Sequence, residues 1–177
     1  MFYPVYLNLK NKRIVVIGGG VVAERKVETL LGMEASINVI SPEVTPRIKS
    51  LAESNQIQLQ RRAYTVGDCA GAALVFSATG NEAVNRAVFE EAAKAGVLLN
   101  TADKPALCDF IMPAVVRQGD IAVAVSTGGT SPGLAAQLRD KIATVIGPEY
   151  ARLAELLAQV RPRTVIRSGF PGPAPTM

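Results

Sequence analysis

Gly18-Gly19-Gly20-Val21-Val22-Ala23 follows the short β-branched run Arg13-Ile14-Val15-Val16-Ile17 and leads into a segment with helical spacing. G-x-G-x-x-A between a strand and a helix is a pattern for handling a diphosphate. Gly18 permits the tight turn, Gly20 lets the main chain approach the pyrophosphate, and Ala23 allows close helix–strand packing. The helix start then turns free N–H groups toward the anion. Gly18, Gly20, Val21, Val22 and Ala23 are therefore candidate cofactor-binding residues. A glycine-rich turn without a ligand is the competing reading, and the strand–helix context weighs against it.

A dinucleotide also calls for an acidic side chain about 20 residues further on, for the adenosine ribose. The next apolar run ends in Ser41-Pro42-Glu43, not in Asp or Glu. Ser41 and Glu43 are the candidates there. Glu43 either reaches the ribose or sits in the first turn of the next helix. No arginine stands at the strand end to hold a 2′-phosphate, and Arg47 is a turn further on. Spacing alone leaves NAD and NADP open.

Composition bounds the rest of the chemistry. The chain has no histidine, which removes imidazole zinc sites, Ser-His-Asp triads and imidazole proton shuttles. An acid or base must be a carboxylate, Lys, Tyr, Cys or water. No resident metal is expected. Cys69 and Cys108 are far apart and read as reduced, small apolar side chains. The net charge of +4 comes without a basic tract, and aromatic residues are few. A small polyanionic substrate fits this better than nucleic acid. No apolar run reaches the roughly 18 residues that span a bilayer, and Met1-Phe2-Tyr3-Pro4 lacks a basic leader pattern. A cytoplasmic protein without membrane contact is expected.

The elements that must position these residues follow from periodicity. Strands are expected at 13–17, 37–40, 57–61, 73–78 and 97–100, the third nearest an edge. Helices are expected over 21–31, from Pro42 as a first-turn residue to 53, and over 81–95 with Gly96 as its cap. Strands alternating with helices imply a doubly wound, Rossmann-type parallel sheet with right-handed crossovers. Beyond Pro113 the pattern changes. Residues 114–117 and 121–126 read as a hairpin around Gln118-Gly119-Asp120, with Ile121, Val123 and Val125 alternating. A polar loop, 127–131, precedes a helix from Pro132 to about Ile146 and another over 149–160. The division is 1–112 as the nucleotide-binding domain, 113–161 as a small α+β dimerisation region with C-terminal helices, and 162–177 as a disordered, Pro/Gly-rich tail.

Several segments together resemble one family. Gly18-Gly19-Gly20-Val21-Val22-Ala23-Glu24-Arg25-Lys26 is similar to the GGGxVAxRK signature of precorrin-2 dehydrogenases, the dehydrogenase and ferrochelatase part of siroheme synthase. Ala78-Thr79-Gly80-Asn81 with Val84-Asn85 resembles its ATxxxxVN. Asn100-Thr101-Ala102-Asp103 with Phe110-Ile111-Met112-Pro113-Ala114 resembles its NxxD…FxxPA. Val125-Ser126-Thr127-Gly128-Gly129-Thr130-Ser131-Pro132 resembles its VSTGGxSP. The likeness runs from residue 3 to about 160. Two positions depart from it: Glu34-Ala35 stands where Gly-Ala is usual, and Gly80-Asn81 where Asp-Asp is common.

The resemblance implies NAD as cofactor and oxidation of precorrin-2, a tetrapyrrole, to sirohydrochlorin. It implies Asp103 as the catalytic carboxylate. Independently, Asp103 follows the fifth strand, at the edge where doubly wound sheets bind ligands. Thr79, Asn81 and Asn100 join the cofactor candidates. Lys104 and Arg117 either hold substrate carboxylates or are solvated surface charge. Thr127 and Ser131 either receive a substrate anion at a helix start or simply cap it. Asp109 is a weaker candidate for a second acid. Two strands alone are marginal, and the resemblance implies that a second subunit covers them, giving a homodimer. A bifunctional enzyme that also inserts Fe²⁺ or Co²⁺, and a non-catalytic NAD-sensing module, are the alternatives. The missing histidine favours dehydrogenation alone.

Overall fold

The computed structural model describes residues 2–168, with side chains described to residue 160. The chain divides into two compact units, Met1–Ile111 and Met112–Met177.

The first unit holds five parallel strands: β1 (Arg13–Ile17), β2 (Ser36–Ile40), β3 (Gln58–Gln60), β4 (Leu74–Ser77) and β5 (Leu98–Thr101). Their order is β3-β2-β1-β4-β5. Val16 of the central strand pairs with Val39 on one side and Phe76 on the other. Side chains alternate between the faces of a strand, so β1 feeds two cores. Ile14 and Val16 pack with Phe76 and with residues of α1 (Val21–Leu30) and α2 (Pro46–Glu53). Val15 and Ile17 pack with Leu99 and with Val88 and Ala92 of α3 (Glu82–Ala95). Burial on both faces is what a near-continuous apolar run requires of a parallel strand. Truncating a fully buried side chain here, such as Leu99, costs about 2–5 kcal/mol.

The start of α2 differs from the expectation at Pro42. Thr45 is the N-cap, its hydroxyl accepting from the Ile48 N–H at 3.3 Å, and Pro46 fills the first turn. Residues 41–45 stay in a loop because that loop is held elsewhere. The Ser41 hydroxyl donates to the Glu43 carbonyl at 2.6 Å, and the Thr45 N–H donates to the Gly19 carbonyl at 2.9 Å. Gly96 closes α3 in the left-handed region at φ 65°.

The second unit pairs β6 (Ala114–Gln118) and β7 (Ile121–Val125) antiparallel, followed by α4 (Pro132–Val145) and α5 (Pro148–Ser168). The expected tail begins at residue 162, yet the helix continues through Ser168. Residues 169–177 lie outside the described residues. Among those described, Val116 and Ala135 are the buried apolar side chains of this unit. Val115, Leu134, Leu138, Leu153, Leu156 and Leu157 are exposed.

Candidate functional site

Three glycines separate β1 from α1, and their surroundings differ. Gly18 has φ +114°, and a Cβ there would lie 2.3 Å from the Ala78 carbonyl oxygen. A Cβ on Gly19 would lie 2.2 Å from the Glu43 carbonyl oxygen and 2.6 Å from Val44 Cγ1. A Cβ on Gly20 would meet nothing within 4 Å. Gly18 and Gly19 are thus pressed against the two neighbouring strand ends, and Gly20 faces open space. Gly19 is absent from the sequence candidates, because its requirement comes from a loop more than 20 residues away.

That open space is a cleft of about 480 Å³ lined by Gly18, Gly19, Gly20, Ser41, Pro42, Glu43, Val44, Thr45, Ala78, Thr79 and Gly80. It lies at the carboxyl ends of β1, β2 and β4, the expected place for a ligand in a doubly wound sheet. Gly20 is the N-cap of α1 and supplies no side-chain cap. The first-turn N–H groups of α1 therefore keep their donor capacity for an external acceptor. An open Cβ position, uncapped donors and a polar rim fit a dinucleotide diphosphate.

The candidates distribute as follows. Gly18, Gly20, Ser41, Glu43 and Thr79 line the cleft. Glu43 lies in the loop before the Thr45 cap, outside α2. Val21 and Val22 are exposed at the start of α1, and Ala23 is fully buried beneath it. The Asn81 side chain caps α3, accepting from the Ala83 and Val84 N–H groups at 3.0 and 3.2 Å. Asn100 is buried and donates to the Phe110 carbonyl at 2.9 Å. Asn85, part of the motif resemblance, is absent from the sequence's site candidates. It accepts from the buried Ser77 hydroxyl at 2.7 Å and donates to the Thr79 carbonyl at 3.0 Å, which fixes the end of β4.

Asp103 sits in the loop after β5, exposed and in the left-handed region at φ 55°. The loop around it is tightly bonded. Ala102 N–H donates to the Ser77 carbonyl at 2.8 Å, and the Thr101 hydroxyl to the Leu107 carbonyl at 3.0 Å. Cys108 Sγ accepts from the Thr101 N–H at 3.2 Å. Phe110 closes the loop edge-on against Phe76, with centroids 5.5 Å apart. Lys26 of α1 places Nζ 5.8 Å from the Phe76 centroid. Burial pulls the Lys26 ammonium below the ordinary lysine range, against the opposing pull of Cys108 and Asp103. Cys69 is fully buried and its thiol is pushed up to about 12, chiefly by that burial, which leaves it inert at neutral pH.

Lys104 Nζ lies 3.8 Å from Glu82 Oε1, an exposed pair of the kind that contributes little. Arg117, Thr127 and Ser131 belong to the second unit. Arg117 is exposed on β6. The Thr127 hydroxyl both donates to the Ser131 carbonyl and accepts from its N–H, each at 3.0 Å. The Ser131 hydroxyl caps α4 at the Leu134 N–H, at 3.3 Å. Among the described residues no group of three His, Cys, Asp or Glu side chains could hold a metal ion. No described helix is long and apolar enough to cross a membrane.

Comparison with known proteins agrees with this geometry. Residues 5–114 match the NAD(P)-binding family NAD_binding_7, and residues 118–144 match the central region of sirohaem biosynthesis proteins. A siroheme synthase from Methylococcus capsulatus is 40% identical over 172 residues, covering 97% of this chain and 36% of that protein. Another, from Methylobacillus flagellatus, is 42% identical over 159 residues, covering 89% of this chain and 34% of that protein. The chain thus spans about a third of the length of these relatives. A solved structure of SirC, precorrin-2 dehydrogenase, superposes with a TM-score of 0.78 at 26% identity, covering 96% of this chain and 83% of that one. The chain belongs to the NAD(P)-binding family NAD_binding_7 and carries the sirohaem-biosynthesis central segment directly after it.

Proposed function

We propose that the chain is an NAD-dependent dehydrogenase that converts precorrin-2 to sirohydrochlorin. One observation carries the reading: an uncapped helix start opens on a glycine-floored cleft, and the Asp103 loop follows the next strand but one of the same sheet. The likeness to a precorrin-2 dehydrogenase supports the substrate.

Bound in the cleft, NAD supplies the two-electron oxidant. The protein's part is placement and proton removal. The α1 donors and the Gly20 main chain hold the diphosphate. Ser41 and Glu43 face the adenosine ribose, and the end of β4 at Thr79 borders the cofactor. Asn81 and Asn100 act through the backbone they fix. Asp103 accepts the proton lost from the macrocycle as its conjugation extends. Lys104 and Arg117 meet carboxylate groups of the substrate, while Thr127 and Ser131 shape the start of α4.

Homodimerisation through the second unit is part of the same proposal. It is supported by the exposed Leu134, Leu138, Leu153 and Leu156 beside a two-stranded sheet. A cytoplasmic setting is supported by two free thiols. The deciding experiment supplies purified protein with precorrin-2 and NAD and follows NADH and sirohydrochlorin together by absorbance. Matched formation of both supports the reading. NADH release without sirohydrochlorin, or neither product, overturns it.

A further inference from the structure

We propose that Asn85 serves the cofactor through a single peptide: by drawing the Thr79 carbonyl inward, it leaves the Gly80 N–H as a donor to an oxygen of the bound dinucleotide. This role rests on the cleft as the dinucleotide site and not on the identity of the substrate.

α3 covers the sheet with Val88 and Ala92, both buried in an apolar layer. Asn85 stands on the same helix, a turn before Val88, and is only 3% exposed. A buried amide has to be paired, and both ends of this one are. Its oxygen accepts from the Ser77 hydroxyl at 2.7 Å, and its nitrogen donates to the Thr79 carbonyl at 3.0 Å. A carbonyl can only accept, so the nitrogen must face Thr79 and the oxygen falls to Ser77. Ser77 itself is 1% exposed. Two apolar side chains of the same shape would fill this place at little cost in stability. The polar pair therefore calls for a use beyond holding helix to sheet.

That use lies in the main chain it grips. The Ala78 carbonyl is pressed against Gly18, where a Cβ would lie 2.3 Å from its oxygen. The Thr79 hydroxyl accepts from the Asn81 N–H at 3.1 Å. Between these contacts runs the Thr79–Gly80 peptide, and both of its residues line the cleft. A Cβ on Gly80 would meet nothing within 4 Å, so no contact at Gly80 sets which way this peptide faces. Asn85 sets it. In a planar trans peptide the C=O and the N–H point in opposite directions. With the Thr79 carbonyl turned to the buried Asn85, the Gly80 N–H leaves on the exposed side. Among the described residues that N–H has no partner within the chain. Turned about, the same peptide would offer its carbonyl oxygen to the anionic diphosphate, a repulsion. The uncapped start of α1 and the Gly80 N–H thus border one cleft with donors from two strand ends.

The test follows backbone amide resonances of ¹⁵N-labelled protein by NMR as NAD is added, in the parent and in the double variant Ser77→Ala/Asn85→Leu. In the parent, the Gly20 and Gly80 amides are both expected to move, Gly80 downfield as its hydrogen bond forms. The double variant removes both buried partners together, so Tm should stay within a few degrees of the parent. Its Gly20 amide should still respond to NAD while the Gly80 response is lost. NAD affinity by calorimetry should fall about tenfold, the scale of one hydrogen bond to a charged group. Parental affinity in the double variant overturns the role of Asn85. A parent in which Gly20 moves and Gly80 does not overturns this inference and leaves the cleft as the cofactor site. A parent in which neither moves overturns both. If the double variant does not fold, the Gly80 amide of the parent decides alone.

Discussion

Asp109 and Leu99 exchange two hydrogen bonds across the open edge of the sheet. The Leu99 N–H donates to the Asp109 carboxylate at 2.9 Å, and the Asp109 N–H donates to the Leu99 carbonyl at 2.8 Å. Since β5 is the last strand on its side, this single residue satisfies both main-chain groups that Leu99 turns to the open edge. The Asp109 carboxylate thus serves the edge of the sheet rather than acting as a second acid.

Asp109→Ala should therefore destabilise the first unit by about 1–3 kcal/mol, the cost of leaving a strand N–H without its acceptor. Asp109→Asn should recover most of that loss, since an amide oxygen can accept the same bond. Urea unfolding of the three proteins checks this, and equal midpoints for parent and Asp109→Ala would refute it.

At the glycine turn, position decides between folding and binding. Gly20→Val puts a branched side chain into open cleft space and should abolish NAD binding with Tm within a few degrees of the parent. Gly18→Ala and Gly19→Ala should lose stability or fail to fold, because even a methyl group meets a main-chain oxygen at 2.3 and 2.2 Å. Calorimetry with NAD, paired with thermal unfolding, separates the two. Parental NAD affinity in Gly20→Val removes the cleft as the cofactor site.

Asp103→Asn should keep the fold, because asparagine tolerates the left-handed backbone found there. Turnover should drop by about 10²-fold or more, as for loss of a general base. NAD affinity should hold. Steady-state rates within a few-fold of the parent would make Asp103 a bystander.

Acid should expose a separate weakness. The Asp68 carboxylate receives Arg62 at 2.6 and 2.8 Å and the Thr65 N–H at 2.8 Å. The Arg62 guanidinium holds it below its ordinary value of 3.8. A carboxylate depressed in the folded state contributes stability that is fully present above the unfolded pKa and is lost as pH falls through the folded one. The stability gap between parent and Asp68→Asn should thus be widest near neutral pH and close below about pH 4. A gap independent of pH contradicts the sign.

Dimerisation can be tested at β7. Its Val123 is half-buried within one chain and sits opposite Val116. Val123→Asp should yield monomer or aggregate. Light scattering at micromolar concentration reads the state, and a parent that is a stable monomer rejects the dimer.

The strands and the glycine-floored turn beside the cleft were legible because they rest on local signals: β-branched runs, the spaced glycines and Gly96 at a helix end. The start of α2 was not. Ser41-Pro42 and Thr45-Pro46 are equivalent capping signals, and a hydrogen bond from Thr45 to Gly19 chooses between them. The seat of Lys26 was equally opaque: its Nζ lies 5.8 Å from the ring centroid of Phe76, a residue 50 positions further on, and the spacing of α1 alone cannot show that. Asn81 and Asn100 were visible as polar residues at strand ends, but their bonds to helix start and loop depend on folded geometry.

The contact between Gly19 and the 43–44 main chain has a consequence for redesign. Changing the preferred dinucleotide in such folds means altering the loop after the second strand, where a ribose or a 2′-phosphate is read. Here that loop cannot be lengthened or rebuilt freely, because its backbone is the surface on which the first turn rests. A side-chain exchange at Glu43 that leaves the main chain in place is the one economical route. Insertions between 41 and 45 would disturb the Gly18–Gly20 turn, the proposed diphosphate seat, at the same stroke, so selections for cofactor-swapped variants should yield compensating changes only at positions whose side chains face the cleft, with residue 19 remaining glycine throughout.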